Sequence, residues 1–337
     1  MTFAASDQVY PLRAAAFTPG WPMGYLSTYG PRADPATALT WGLMGISIVV
    51  ILVVTALVVA GILARRSRGS PTDEPPPARA GASGLGWLYV GLPITVVALV
   101  ISLVWTVAVL AKINSPAGKP AVTIEVTGHQ WWWEVRYLGD QPSQTFTTAN
   151  EIHIPVGEPV LVRLASADVI HSFWAPALTG KTDTVPGRVN IAWLQASRPG
   201  VYRGQCTEYC GLEHAHMALY VIAESPAAFA AWRAHEAAPA APPSTTSPTA
   251  GGEALFQARC GVCHTVRGGE AGGVLGPDLT HLMSRQTIAS GTLPNTPETL
   301  AGWISDPQAL KPGSMMPATN LSGPELNAVS AYVETLK

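Results

Sequence analysis

Charge is scarce in this chain. Of 337 residues only 12% are Asp, Glu, Lys or Arg, and the two signs nearly cancel, leaving a net charge of −2. A chain so balanced offers no overall charge with which to grip a polyanion, so no nucleic-acid partner is expected. Cysteine is scarcer still. The four present fall into two close pairs, Cys206/Cys210 and Cys260/Cys263. Residues 1–34 also lack an apolar stretch of the usual length behind a basic start, so no separate signal peptide is expected there. The first apolar run would then serve as the export signal.

What is present in excess is apolar side chain, 47% of the total. Two stretches, Pro35 to Ala64 and Ala80 to Ala111, carry an almost unbroken apolar run, and their cores hold no charge. Each exceeds the roughly 20 residues that cross a hydrocarbon layer of about 30 Å. Pro93 is tolerable inside a membrane helix. Trp41, Trp87 and Trp105 lie towards the run ends, where interfacial aromatics belong. The sequence therefore predicts an extracytoplasmic segment over 1–38 and two transmembrane helices within 39–111. The loop 65–85 between them carries Arg65, Arg66, Arg68 and Arg79. Positive loops stay cytoplasmic, so both termini and everything after Lys112 are expected on the outer side of a bacterial inner membrane.

Residues 112–234 are rich in short β-type runs such as "AVTIEVTG", "PVLVRLAS" and "ALYVIAE", bounded by Gly, Pro, Asn and Asp. They predict an all-β sandwich. Residues 235–250, "HEAAPAAPPSTTSPTA", cannot build a core and read as a linker reaching up to about 50 Å if extended. Residues 251–337 read as a small helical domain. Thr296 with Pro297 marks one helix start. Ser322 with Glu325 marks another through a capping box, and Leu326, Val329, Tyr332, Val333 and Leu336 share one face of that helix.

"CGVCH" at 260–264 is the haem c attachment signature: two thioether bonds from Cys260 and Cys263, with His264 placed to bind the iron. About 50 residues on, "KPGSMMPATN" supplies methionine, and His/Met ligation suits an electron carrier by raising its potential. The domain resembles the class I cytochromes c, including "LGPDL" at 275–279. The resemblance implies that the Met directly before the Pro, Met316, is the distal ligand, with Met315 as the rival.

The other pair sits in "QCTEYCGLEHAHM", 205–217. Residue types alone leave three readings open: a disulfide across the four-residue spacing, a Cys₂His₂ zinc site, or an electron-transfer copper site using thiolate, imidazole and thioether together. Upstream, "DVIHSFWAP" offers His171. "GHQWWWEVRY", "DVIHSFWAP", "KTDTVPGR", "RPGVYRGQCTEYCG" and "HAHM", in this order after two membrane helices, resemble subunit II of cytochrome c oxidase, and the attached haem domain extends the likeness to the caa-type oxidases.

That resemblance implies a cupredoxin fold holding a dinuclear copper (CuA) centre. Cys206 and Cys210 would bridge both metals. His171 and Met217 would complete one, and His214 with the carbonyl of Glu208 the other. His216 is left as a non-ligand. The Glu208 side chain would help hold Mg²⁺ or Mn²⁺ at the subunit I interface. Trp131 would be the electron entry point, and Asp168 a docking acid for the donor. Where many such oxidases carry a Glu seven residues before the helix proline, this chain has Gly86, so no proton-path residue is expected here.

The expected function is electron entry into a proton-pumping terminal oxidase. Electrons would pass from cytochrome c or another periplasmic donor through haem c and CuA to subunit I, with subunit III and membrane lipid as further partners. A nitric-oxide reductase subunit and a free-standing membrane-anchored carrier are the alternatives. The copper domain has nine basic and ten acidic residues, and the haem domain five and seven. No charge complementarity joins them, so tethering by the linker is expected to bring them together.

Overall fold

The computed structural model describes residues 23–67, 85–116, 118–242 and 249–337. Most of the expected N-terminal segment, most of the arginine-bearing loop and residues 243–248 of the linker lie outside the described residues.

The apolar runs form helices α1 (Asp34–Ser67) and α2 (Leu85–Ile113). Helix α1 begins earlier than the apolar run suggested. Asp34 and Pro35 are a natural helix start, an acid at the positive end followed by a residue whose fixed φ suits the first turn. Hydroxyls within the apolar runs turn back onto their own helix: Ser47 donates to Leu43 O at 3.0 Å, Thr95 to Gly91 O at 3.0 Å and Ser102 to Ala98 O at 2.8 Å. No donor among these three is left facing hydrocarbon. Both helices are long and apolar enough to cross a membrane, and together they form a compact unit of their own, Asp34–Ser115.

The second unit contains a sandwich of two five-stranded sheets. One sheet joins β1 (Val122–His129), β2 (Trp132–Tyr137), β3 (Phe146–Ala149), β5 (Val160–Ser166) and β8 (Asn190–Leu194) in the order β3-β2-β1-β5-β8. The other joins β4 (Glu151–Pro155), β6 (His171–Trp174), β7 (Thr182–Thr184), β9 (Gly200–Cys206) and β10 (Ala218–Glu224) in the order β4-β10-β9-β6-β7. Strand β1 shows why the sequence folds this way. Val122, Ile124 and Val126 alternate with Thr123, Glu125 and Thr127, and the apolar set is the buried one. Trp133, Tyr137, Phe146, Phe173 and Tyr202 fill the space between the sheets.

A helix not expected from the sequence, α3 (Pro226–Ala237), closes the sandwich. Its signal was present: Ser225 caps it by accepting from Ala228 N–H, and Pro226 opens its first turn. Phe229 and Trp232 pack from it onto the sandwich core. The helix ends inside the segment expected to be linker.

The C-terminal part is helical. It holds α4 (Thr249–Arg259), α5 (Pro297–Ser305), the single turn α6 (Pro307–Leu310) and α7 (Gly323–Val333). Thr296 accepts from Thr299 N–H at the start of α5, and Ser322 and Glu325 form the capping box of α7. Val329, Tyr332, Val333 and Leu336 are buried with Phe256 of α4 and Leu300 of α5. A short hairpin, β11 (Thr287–Ile288) and β12 (Leu293–Pro294), was not foreseen.

That hairpin fastens the helical part to the sandwich. Glu151 Oε1, on the buried side chain that opens β4, accepts from Gln286 N–H at 2.8 Å and Thr287 N–H at 3.0 Å. At the hairpin tip Ser290 donates its hydroxyl to Ala218 O at 2.9 Å and accepts Ala218 N–H at its own carbonyl at 3.1 Å. The segment after α3 is fastened too. Arg267 donates to Glu236 O at 2.6 Å, Ser284 to Glu236 Oε1 at 2.9 Å, and Ala240 N–H to Arg267 O at 2.8 Å. The expectation of a free, extended tether over 235–250 is therefore corrected for its described part. Residues 235–237 are helical, and the buried Glu236 together with Ala240 is held by hydrogen bonds.

Candidate metal centre and haem-binding segment

Strand β9 ends at Cys206, β10 begins at Ala218, and the loop between them carries most of the candidate ligands. The loop is short because both ends are paired: Cys206 N–H donates to Met217 O at 2.9 Å, closing it where the antiparallel ladder stops. Gln205 staples its far side by donating to His214 O at 3.1 Å. His171 arrives from the neighbouring strand β6, whose Phe173 pairs with Cys206.

The donor atoms converge. Cys206 Sγ lies 3.8 Å from Cys210 Sγ, 4.0 Å from His171 Nδ1 and 3.3 Å from Glu208 O. Cys210 Sγ lies 3.5 Å from His214 Nδ1 and 3.8 Å from Met217 Sδ. All six residues expected as ligands by resemblance are thus brought to one place. Cys206, Cys210, His171 and Met217 are buried, and the two cysteines are free thiols. Among the described residues, His171, Cys206 and Cys210 are the cluster whose ligand atoms could hold a metal ion. Two sulfurs, two imidazole nitrogens, a thioether and a carbonyl form a soft donor set suited to copper. A proton shared between the sulfurs holds Cys206 down to about 4, against burial, and the same sharing pushes Cys210 well above its usual range.

The surroundings fix which nitrogen each imidazole presents. Asp168 Oδ1 accepts from His171 Nε2 at 2.8 Å, leaving Nδ1 turned to the sulfurs. Burial opposes the imidazolium of His171, but hydrogen bonds with Cys206 and Asp168 outweigh it and raise its pKa. The other oxygen of Asp168 accepts Gln130 N–H at 2.6 Å, and Oδ1 also accepts Val169 N–H at 2.6 Å. A carboxylate bonded in this way orients His171, while Asp168 itself stays exposed. Trp133 sets the other side of the ring, edge-on at 5.9 Å. His216 turns away and holds Glu213 Oε2 at 2.5 Å.

Gly128 on β1 lies directly against His171. A Cβ built there would stand 2.6 Å from His171 Cδ2. Gly128→Ala should therefore push the ring off the sulfurs. Overpacking costs about 1–3 kcal/mol, which corresponds to a loss of roughly tenfold or more in metal retention. Copper per chain after dialysis measures it, and wild-type copper content would refute it.

Trp131 occupies the turn between β1 and β2. Its indole donates to Cys210 O at 2.9 Å, where Gln130 Nε2 also donates at 2.7 Å. It does not present an open face, being only 9% exposed. The haem-motif domain covers it. A Cβ added at Gly313 would stand 3.1 Å from Leu212 Cδ2 and 3.7 Å from the Trp131 ring.

In that domain, α4 leads into Cys260–His264, and His264 N–H donates to Cys260 O at 2.9 Å, so the motif is one tight turn. His264 Nδ1 donates to Pro277 O at 2.8 Å, which leaves Nε2 free to lead towards an iron. Burial pushes its pKa below the usual value. Gly276 leaves the ring its room, since a Cβ there would stand 2.6 Å from His264 Cε1. Burial pushes the Cys260 thiol up to about 11. Val262, Val274 and Leu275 are large apolar side chains left strongly exposed in and near this segment, the cover a flat apolar macrocycle would provide. Met316 is half-buried, with its carbonyl accepting from Gln308 Nε2 at 2.7 Å, whereas Met315 is 82% exposed.

The sequence reasoning missed Gln130, Gln308 and Lys311, which shape these two sites. Gln130 and Lys311 lie inside runs quoted above, but all three act through backbone carbonyls, which no side-chain pattern announces. Of the histidines that drew no functional expectation, His129 stacks on Trp132 and His153 on Trp232, while His235 and His281 meet at a tilt with ring centroids 4.3 Å apart.

Two membrane-length apolar helices, a cupredoxin-like sandwich with a soft-donor loop and a helical C-x-x-C-H domain define a membrane-anchored, multidomain redox protein. Comparison with known proteins carries this further. Residues 122–224 match the family described as cytochrome c oxidase subunit II, periplasmic domain, and residues 249–337 match cytochrome c. Cytochrome c oxidase subunit 2 of Alkalihalophilus pseudofirmus is 38% identical over 301 residues, 87% of this chain and 86% of the relative. That of Bacillus sp. strain PS3 is 34% identical over 231 residues, 65% of this chain and 63% of the relative. The periplasmic domain of subunit II of cytochrome oxidase from Bradyrhizobium japonicum is a similar solved structure, 32% identical with a TM-score of 0.33, covering 36% of this chain and 96% of that one. The chain belongs to the cytochrome c oxidase subunit 2 family, a component of the haem–copper oxidase complex. The family implies a dinuclear copper centre and a haem c, and both sets of residues present here fit those groups.

Proposed function

We propose that this chain is the electron-entry subunit of a proton-pumping terminal oxidase. It would take electrons from a periplasmic donor cytochrome through haem c and then the dinuclear copper to subunit I, where oxygen is reduced. The observation that carries this is the position of Trp131, between the carbonyl of Cys210 and the Gly313 segment of the haem domain. One residue is joined to the copper loop through its indole and to the haem domain through its carbonyl, which accepts from Lys311 Nζ.

Cys206 and Cys210 would bridge the two coppers, His171 and Met217 would complete one, and His214 with Glu208 O the other. Bound there, such a centre supplies one-electron transfer with little reorganisation, because two shared thiolates spread the charge over both metals. The residues prepare that task in identifiable ways. Asp168 and Trp133 fix His171, Gln205 fixes the His214 carbonyl, and Gln130 and Trp131 hold the Cys210 carbonyl. Burial excludes water from the sulfurs. Cys260 and Cys263 would attach the haem, with His264 and Met316 on its two faces.

The arginine loop would face the cytoplasm and the redox domains the periplasm. The exposed Glu208 carboxylate would contribute to a Mg²⁺ or Mn²⁺ site only with further ligands from subunit I. Subunit III is a further expected neighbour. Gly86 lies in the first turn of α2, and any proton entry at this point is assigned to other groups.

The test is oxygen uptake by the purified complex with reduced cytochrome c, alongside the near-infrared copper band. A band without uptake defeats the oxidase reading. Haem-to-copper transfer should also be nearly insensitive to salt, since the domains meet through buried hydrogen bonds that salt screens weakly. A large slowing at high ionic strength would show that surface charge holds them.

A further inference from the structure

Lys311 belongs to the helical domain, yet its side chain ends among carbonyls of the copper domain. Its Nζ donates to Trp131 O at 2.6 Å, to His216 O at 2.8 Å and, within its own domain, to Ala289 O at 3.4 Å. The residue is 3% exposed. An ammonium has three N–H donors and no acceptor, so three convergent carbonyls satisfy it. Buried without them it would be strongly unfavourable.

The places it joins are not arbitrary. His216 lies between His214 and Met217 in the copper loop. Trp131 holds the Cys210 carbonyl through its indole while offering its own carbonyl to Lys311. Ala289 is in the turn of the β11–β12 hairpin, next to Ser290, which grips Ala218. On the haem side, Lys311 opens the segment that runs through Gly313 to Met316. Gln308 shapes it by donating to Ser314 O and Met316 O and accepting Gly313 N–H.

Burial pulls the lysine down to about 8, with Glu213 and Cys210 opposing, and the three carbonyls around Nζ are acceptors that suit the ammonium form. An apolar contact alone would tolerate sliding of one domain over the other. A buried cation with fixed acceptors does not, because each displacement strands a donor.

We propose that Lys311 is a positioning residue for electron transfer between the two redox sites: seated on the Trp131 and His216 carbonyls, it fixes the Met316 segment over the copper loop. This rests on the redox reading above. It differs from the expected tether in that geometry, rather than linker reach, sets the coupling.

The test uses the full chain in its holo complex with Lys311→Met, which keeps the length and removes the donors. Three quantities are read: the copper and haem spectra, backbone hydrogen exchange of residues 130–133 and 214–217, and the rate of electron equilibration between haem c and copper after photoinjection. The expected result is unchanged spectra, faster exchange in both segments, and transfer slowed by about tenfold or more. Unchanged exchange and transfer would overturn the proposal. So would loss of the copper band, which would make Lys311 a structural support of the metal loop. Lys311→Gln, shorter but still a donor, should slow transfer less than Lys311→Met, and equal rates in the wild type and both variants would again overturn it. If the wild type itself shows no haem-to-copper transfer, the functional reading fails rather than the placement of Lys311.

Discussion

Cys206→Ser is expected to abolish the near-infrared copper band of the full chain while leaving its haem spectrum intact, and to stop electron delivery to subunit I. Cys206 is 1% exposed and sits where the sulfur of Cys210, the Nδ1 of His171 and the carbonyl of Glu208 converge. A serine hydroxyl would fit the space. It would not fit the chemistry, since the hydrogen bond with Cys210 lowers the Cys206 thiol below its usual value, while a hydroxyl stays protonated and is a hard ligand. Replacing outer partners of a metal ligand costs roughly 10–100-fold in affinity, and removal of a bridging ligand should exceed that. The haem segment is independent of this change, because Cys260, Cys263 and His264 are held by α4 and by Pro277 O. A retained copper band in the variant would overturn the ligand assignment.

The copper loop was legible in the sequence because five of its six donors lie within twelve consecutive residues, Cys206 to Met217. The two strands that hold the loop are paired ends of one hairpin, so nearness in sequence becomes nearness in space. His171 was legible only through the ordered motifs, as its position depends on β6 pairing with β9. The fold class was legible from period-two alternation and unbroken apolar runs.

Domain contact was not legible. Lys311 and Trp131 are 180 residues apart, and Glu151 and Gln286 are 135 apart. Their partners are backbone groups, which every residue offers, so no side-chain pattern announces them. Counting charges pointed to a loose tether, because a count cannot see that Lys311 and Glu151 are buried at the junction and hydrogen-bonded across it. The bond between Asp168 and the His171 ring was hidden as well, because only the turn of the chain brings that carboxylate onto the imidazole.

Met316→Leu should uncouple haem attachment from haem function, and Met315→Leu should do neither. The two methionines are adjacent and chemically identical, so only their surroundings separate them. Met315 is 82% exposed. Met316 is half-buried, and its carbonyl is tied by Gln308, which also fixes Ser314 and Gly313. A side chain on a segment fastened at three points can be aimed, and the resemblance to class I cytochromes c places the ligand at the Met directly before the Pro, Met316. Leucine at 316 keeps the apolar volume and removes the thioether. Haem would stay covalently bound through Cys260 and Cys263, so a haem stain of the denatured chain should be unchanged. The reduction potential should fall, because the thioether is the ligand that favours the reduced iron. A drop of roughly 60 mV shifts a one-electron equilibrium about tenfold, enough to leave the haem mainly oxidised beside its donor and to cut oxygen uptake in proportion. Redox titration of the two variants decides between them. A drop in Met315→Leu with Met316→Leu unchanged would reverse the assignment, and would require the Gln308-bound turn to rotate its exposed side chain inward when haem is attached.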